Sequence, residues 1–522
     1  MVVGDMLVRA ARKFPGKTAV IHGDASFTYQ AFNERINCLS HSLLAMDIKK
    51  GDRIGILTQN CHQVLELYFT AAKTGAVFCP YSYLLTEKEL EYLLNYSSPK
   101  VLFYSTQFES VVEALKPRLD SVEQYICLQK TSWPAARYYE ALVSIGDGTE
   151  PDVIVRPEDV MSIIFTSGTT GKPKGAMRTH RHLVTTSVTT VVEYKTTYKE
   201  RVMIVTPMYH VAFEDHFGRC FFVPNTTVIF DGHFDPVKVL ETLARERITS
   251  CFLVPTMINA LIHAPNVGDV DLTSLARIHY AGSPMPVELL KKALNILGRF
   301  GCGFCQMYGQ TESGPLISML PPENHVLEGS EGMIKKLASA GRPVLDCEVR
   351  IVDDEGRDVS PGETGEIITR SEATMIGYWQ LPEQTAQKLK DGWLHTGDMG
   401  VFDQDGYVYI VDRRDDLIIS GGKNIYPREV EEVLYQHPAI REAVVVGVPH
   451  EHWGEAVKAV ISLHQGAEVT QEAIIRFCGE RMASYKKPKS VEMWEELPKG
   501  PSGKILRRKV REEYWKGMDK KI

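Results

Sequence analysis

Between Arg53 and Tyr104 short apolar runs alternate with stretches of helical periodicity, and that order leaves little choice of architecture. Arg53-Ile54-Gly55-Ile56-Leu57 reads as a strand, His62 to Lys73 as a helix, and Ala76-Val77-Phe78-Cys79 as a strand again. Thr86-Glu87-Lys88-Glu89 is a capping box opening a helix that runs to about Tyr96, and Pro99 breaks the chain before the strand Val101-Leu102-Phe103-Tyr104. Strands joined by helices lie parallel with both faces of their sheet covered, so the fold class is α/β. The alternation returns from about Asp235 to Met307, with Ile278-His279-Tyr280 and Phe304 to Met307 as short strands. Two layered βαβ subdomains are therefore expected over about residues 1–340.

From about Gly341 to Asp412 the texture changes. Cys347 to Val352, Gly365 to Thr369 and Tyr407 to Val411 alternate in polarity, with turn signals at Asp354-Glu355-Gly356 and Asp405-Gly406. A small β-barrel or distorted antiparallel sheet is expected over 341–413. Beyond it Pro427 to Tyr435 and Thr470 to Ala483 read as helices, and Glu442 to Val448, Ala456 to Leu463 and Ser490 to Trp494 as strands, followed by a basic tail. This makes a small α+β unit over 414–522, with the charged run Asp412-Arg413-Arg414-Asp415-Asp416 as the joint.

At 522 residues the chain exceeds what one core supports. Its 59 basic against 66 acidic residues, a net −7, argue against a general nucleic-acid binder. No apolar run approaches a membrane span and the N-terminus has no signal-like pattern, so a cytoplasmic protein is expected. The ten cysteines are scattered apart from Cys302-Gly303-Phe304-Cys305, which is either a redox or metal pair or two buried small side chains.

The apolar run Met161-Ser162-Ile163-Ile164-Phe165 leads into Thr166-Ser167-Gly168-Thr169-Thr170-Gly171-Lys172-Pro173-Lys174-Gly175. Backbone N–H groups, hydroxyls and two ammonium groups gathered on one loop suit a polyphosphate. The spacing is not that of a Walker A loop, and Pro173 disfavours immediate entry into a helix, so a mobile flap is expected rather than a helix-capped cradle. A polar hairpin loop at the surface is the plain alternative. Tyr308-Gly309-Gln310-Thr311-Glu312 offers an aromatic face and a carboxylate, one suited to stacking on a base and the other to Mg²⁺. Asp398, after His395-Thr396-Gly397, either caps its own turn or accepts two ribose hydroxyls. Lys504 follows a Gly/Pro-rich turn that either presents a point charge or is an idle basic tail.

Together these segments resemble the acyl- and aryl-CoA synthetases of the adenylate-forming superfamily, to which beetle luciferases and peptide-synthetase adenylation domains also belong. The matching motifs stand in family order over nearly the whole chain: the Thr/Ser/Gly-rich loop, Pro207-Met208-Tyr209-His210, Ala281-Gly282-Ser283-Pro284, Tyr308 to Glu312, Thr396-Gly397-Asp398, Asp412-Arg413, Ser420-Gly421-Gly422 and Gly503-Lys504. The resemblance implies ATP, Mg²⁺ and coenzyme A as cofactors, a small-molecule carboxylic acid as partner, and a monomer or homodimer. It implies that Thr166, Ser167, Gly168, Thr169, Thr170, Gly171, Lys172 and Lys174 hold the β- and γ-phosphates, and that Glu312 with Thr166 ligates Mg²⁺. Gly282, Ser283, Pro284, Met307, Tyr308, Gly309, Gln310, Thr311 and Ile410 complete the nucleotide set, with Asp398 and Arg413 on the ribose. Lys504 bridges the substrate carboxylate and the α-phosphate. The C-terminal unit then rotates at Asp415, bringing Ser420, Gly421, Gly422 and Lys423 to the site for CoA.

For the acyl group, Tyr209, His210, Phe213, Ala281 and Gly309 are the expected pocket, with Met307 filling space and Gly309 and Ala281 leaving room. A medium-chain, alicyclic or aromatic acid fits such walls. Glu214, Asp215 and His216 form a polar cluster just beyond, read as a solvent-facing helix start; facing inward, they would instead suit a carnitine or crotonobetaine type of substrate. An adenylation domain loading a carrier protein is the other alternative, against which stands the absence of an Asp near His210.

Overall fold

The computed structural model describes residues 1–166, 173–500 and 503–516, and within these the side chains of all but 215–217. Four sheets organise them. The first has eight strands, in the order Gly377–Tyr378, Lys174–Thr179, Val160–Thr166, Val77–Tyr81, Arg53–Leu57, Val101–Tyr104, Gln124–Cys127 and Ala136–Tyr138. Its central members pair in parallel, and Val77–Tyr81 is buried at all five positions, as an unbroken apolar run flanked by helices requires. The helix His62–Thr74 ends where Gly75 takes φ +72°, and Glu87–Ser97 opens with the capping box, Thr86 N donating to Glu89 Oε2 at 2.9 Å.

The second sheet has nine strands, ordered Arg342–Pro343, Gly314–Leu320, Gly303–Gln310, Arg277–Tyr280, Ser250–Leu253, Arg201–Ile204, Thr226–Ile229, Thr18–His22 and Ala25–Thr28. The hairpin at its far edge comes from the chain's beginning: Val20 lies opposite Thr227, so the first strands serve the second layered half. Cys302 and Cys305 are buried, one just before and one within Gly303–Gln310, and burial pushes the Cys305 thiol up to about 12. Such thiols stay protonated and behave as small hydrophobes.

The third sheet is antiparallel: Cys347–Val352, Gly365–Ser371, Trp393–Phe402 and Leu389–Lys390 in a row, with Val408–Arg413 also paired to Trp393–Phe402. Its hydrogen bonds trace an open path, so of the two expected forms it is the distorted antiparallel sheet rather than a closed barrel, with Trp393–Phe402 shared by two neighbours on one side. The fourth sheet runs Lys423–Ile425, Ile418–Ser420, Gly454–Leu463 and Ile440–His450, with Ser490–Met493 parallel to Gly454–Leu463. The helix expected over Thr470 to Ala483 ends sooner, as Gln471–Gly479. The basic tail is not idle. Arg507–Tyr514 is a helix whose Val510 is buried and whose Arg507 donates to Glu431, Asp412 and Asp416 at 2.8–3.2 Å.

Candidate active site

The glycine-rich loop joins two antiparallel strands, with Thr166 opposite Lys174. Residues Ser167, Gly168, Thr169, Thr170, Gly171 and Lys172 lie outside the described residues. Gly175 is required by packing, since a Cβ there would fall 2.5 Å from Ile163 Cγ2. The next strand across is Gly377–Tyr378, delivered from two hundred residues downstream, and it carries a side chain the motif reading missed. Tyr378 donates its hydroxyl to Glu312 Oε1 at 2.7 Å, while Lys174 Nζ sits 5.2 Å above the Tyr378 ring. Among the described residues Glu312 Oε2 has no hydrogen-bond partner, and a free carboxylate oxygen is the hard donor that Mg²⁺ takes. Among the described residues Thr166 Oγ1 makes only a long contact to Lys174 O, 3.5 Å.

Tyr308, Gln310, Asp398 and Arg413 do converge. Asp398 Oδ2 accepts from Tyr308 Oη at 2.8 Å and Gln310 Nε2 at 2.7 Å, and Oδ1 pairs with Arg413 Nε at 3.2 Å. A carboxylate offers about four lone-pair sites. Three are used among the described residues, which leaves Asp398 able to take a further hydroxyl. Neighbouring strands explain the meeting: Asp398 lies directly opposite Arg413, and Gly397 takes φ +75° to turn the carboxylate inward. Burial and Asp398 raise the Tyr308 phenol well above its ordinary value, which keeps it a donor. Gly282, φ +88°, starts the loop carrying Ser283 and Pro284 after Arg277–Tyr280. Thr311 is buried and Ile410 half-buried, its carbonyl accepting from Arg428 Nη1 at 2.7 Å.

Lys504 reaches this cluster from the C-terminal unit. Its turn docks through Thr256 Oγ1, which donates to Gly503 O at 3.2 Å. Burial and the nearby Arg413 guanidinium lower the Lys504 ammonium to about 8, against the opposing pull of Asp398. His210 feels the same charge: burial and Lys504 bring its ring down to about 4. At neutral pH it is an uncharged imidazole, its Nδ1 accepting from Ala212 N at 3.3 Å as the N-cap of Val211–Phe222. Asp415 sits exposed in the turn Arg414–Asp416, where its carbonyl accepts from Arg511.

Ser420, Gly421, Gly422 and Lys423 lie elsewhere, on a tight turn of the fourth sheet. Gly421 and Gly422 take φ +57° and +74°, Trp453 borders the first, and Lys423 Nζ lies 4.4 Å above Tyr485. The structure thus presents the lysine edge of the C-terminal unit and leaves the glycine edge exposed.

The acyl segments divide. Tyr209 is half-buried with its ring edge-on to Tyr83, 5.4 Å away. Ala281 is half-buried at a strand end. Met307 is buried against Tyr194, whose ring lies 4.1 Å from that of His279. Phe213 instead packs into the core against Tyr68, 5.6 Å between centroids. Gly309 serves a close backbone approach, since its Cβ would meet Pro315 O at 2.2 Å, so the space its missing side chain leaves is filled by Pro315. Glu214 is not solvent-facing either. It is fully buried with Arg178, Nη1 to Oε2 2.5 Å, so no carboxylate from that position greets a cationic substrate.

Comparison with known proteins agrees with this arrangement. Residues 7–379 match the family model described as AMP-binding enzyme, and residues 429–504 that of the AMP-binding enzyme C-terminal domain. The chain is 38% identical to a feruloyl-CoA synthase of Amycolatopsis sp, over 98% of this chain and 99% of that protein. It is 34% identical to the fatty acid--[acyl-carrier-protein] ligase ScoC of Streptomyces coeruleorubidus, over 98% and 96%. The solved structure of the anthranilate CoA ligase AuaEII in complex with anthranoyl-AMP superposes with a TM-score of 0.90 at 27% identity, covering 98% of this chain and 97% of that one.

Proposed function

We propose, for a chain that belongs to the AMP-binding enzymes and is an AMP-forming acid:CoA ligase using ATP, Mg²⁺ and CoA, that its acid is an aromatic carboxylic acid. The observation that carries this reading is the tilted contact of the Tyr194 and His279 rings behind Met307, His279 and Met307 lying on the strands that lead to Ala281 and Tyr308. Aromatic side chains massed behind the nucleotide strands would suit a planar ring in front of them. The feruloyl-CoA synthase relative and the anthranilate CoA ligase neighbour support it.

The chemistry follows from the arrangement. A substrate carboxylate oxygen attacks the α-phosphorus of ATP, the bond to the bridging oxygen of the β-phosphate breaks, and pyrophosphate leaves. The transition state concentrates negative charge on the α-phosphate, and the ammonium of Lys504, within electrostatic reach of Asp398 and Arg413, is placed to offset it. Asp398 and Arg413 would take the ribose, and Glu312 with its free oxygen would hold Mg²⁺, which would screen the phosphate charge. The neutral His210 ring borders the acid without competing for its charge. The thiolate of CoA then attacks the acyl carbon and AMP departs. We assign residues 1–413 to the nucleotide-binding part and 414–522 to a lid that turns at Asp415 to exchange Lys504 for Gly421 and Gly422 in that second step.

Pyrophosphate release measured with arylpropenoic, arylacetic, benzoic, medium-chain and carnitine-type acids tests the substrate class. The largest kcat/KM is expected with an aromatic acid. A preference of tenfold or more for a straight-chain acid would contradict the reading.

A further inference from the structure

Lys388 belongs to none of the motifs. It ends the helix Pro382–Lys388, yet its side chain turns inward, half-buried, under the Thr396-Gly397-Asp398 turn. Nζ donates to Thr396 O at 2.8 Å, the carbonyl that also accepts from Gln310 Nε2 at 3.0 Å. A Cβ on Gly397 would stand 3.7 Å from Nζ, so the ammonium lies directly against the residue preceding Asp398. An ammonium carries three N–H donors. The Thr396 carbonyl is its one hydrogen-bond acceptor among the described residues, and none of their carboxylates comes within 4.0 Å. Burial lowers its proton affinity, Glu312 and Asp398 are its two strongest opposing influences, and Arg413 is the next group to be felt.

Lys388 is therefore a half-buried cation with unspent donors, bonded to the turn that carries the carboxylate assigned to the ribose and within electrostatic reach of the one assigned to the metal. A nucleotide spanning those two groups has one charged part between its sugar and its pyrophosphate. We infer that Lys388 is a second cation of the nucleotide site, donating to the α-phosphate from the side of the Thr396 carbonyl while Lys504 approaches from the C-terminal unit. The inference rests on the nucleotide placement given above. Unlike Lys504, Lys388 belongs to the fixed part of the molecule, so it would keep hold of AMP after the lid has turned.

The test compares binding of AMP with binding of adenosine, by calorimetry, in the wild-type protein, Lys388→Met and Lys388→Arg. A hydrogen bond to a charged group contributes about 1.5–3 kcal/mol, roughly a 10- to 150-fold change in affinity. Lys388→Met is expected to weaken AMP at least tenfold and leave adenosine within twofold, and Lys388→Arg to recover most of the loss. Equal weakening of both ligands would overturn the inference, because it would mean that Lys388 only supports the Asp398 turn. So would no change in either. Asp398→Asn serves as the control on the placement: it must weaken adenosine, and if it does not, the ribose assignment fails whatever Lys388 does.

Discussion

Replacing Gly503 by alanine separates the docking of Lys504 from its chemistry. Gly503 has φ +79°, and an alanine Cβ there would lie 2.8 Å from Thr256 Oγ1. The left-handed conformation costs a non-glycine residue about 1–2 kcal/mol. That strain is present docked or undocked, because the turn is closed by bonds within its own unit: Gly503 N to Gly500 O at 2.9 Å and Gly500 N to Lys504 O at 2.7 Å. The contact with Thr256 exists only when docked. Thr256 must rotate away and give up its 3.2 Å hydrogen bond to Gly503 O. A net loss of about 0.5–1.5 kcal/mol for that bond lowers adenylation roughly 2- to 13-fold. Thr256→Ala forfeits the same bond, so the double variant is expected to be no slower than the slower single one. The assay is acid-dependent pyrophosphate exchange into ATP, beside thioester formation from a supplied acyl-adenylate, which should be unaffected. Strict additivity of the two substitutions, or an equal fall in both half-reactions, would refute the docking argument.

The Lys504 ammonium, lowered to about 8 by burial and Arg413, is lost as pH rises, so adenylation should fall on the alkaline side near that value. Arg413→Met should move that limb upward; a limb that stays put or moves down in a pH–rate profile would contradict the assigned cause. Gly422, at φ +74° with no atom near its absent Cβ, should tolerate valine sterically but at about 1–2 kcal/mol of backbone strain. Gly422→Val should slow thioester formation and spare pyrophosphate exchange, and slowing of the exchange instead would argue against the glycine edge serving the second step. Glu214→Leu strands the buried Arg178 charge, and such a loss costs about 3–5 kcal/mol in stability. Arg178→Leu with Glu214→Leu should recover most of it in urea unfolding; a double variant worse than either single would disprove the pairing argument.

Local periodicity made the strands and helices of the layered halves legible, since each buried run carries its own apolar pattern. Pairing between distant segments carries no such mark. Nothing in Thr18–His22 announces that it will lie beside Thr226–Ile229, nor in Gly377–Tyr378 that it will extend the sheet of the glycine-rich loop. That second pairing hid Tyr378 and Lys388, whose roles arise only from where the sheets place them. The motif order named Asp398, Arg413, Tyr308 and Gln310, which the fold brings into contact, and Lys504, which feels the charges of Arg413 and Asp398. It misjudged residues whose meaning depends on what stands behind them. Gly309 looked like room for a substrate and faces a backbone; Glu214 looked like a solvated helix start and meets Arg178 in the core.

Single-turnover measurement of both half-reactions in Lys504→Ala bears on the alternation of two edges at one site more than any other experiment. Pyrophosphate exchange should drop by two or more orders of magnitude, while acyl transfer to CoA from a supplied acyl-adenylate should remain within a few-fold of wild type. If the two rates fell together, or if exchange survived, Lys504 would not be the edge that serves the first step alone.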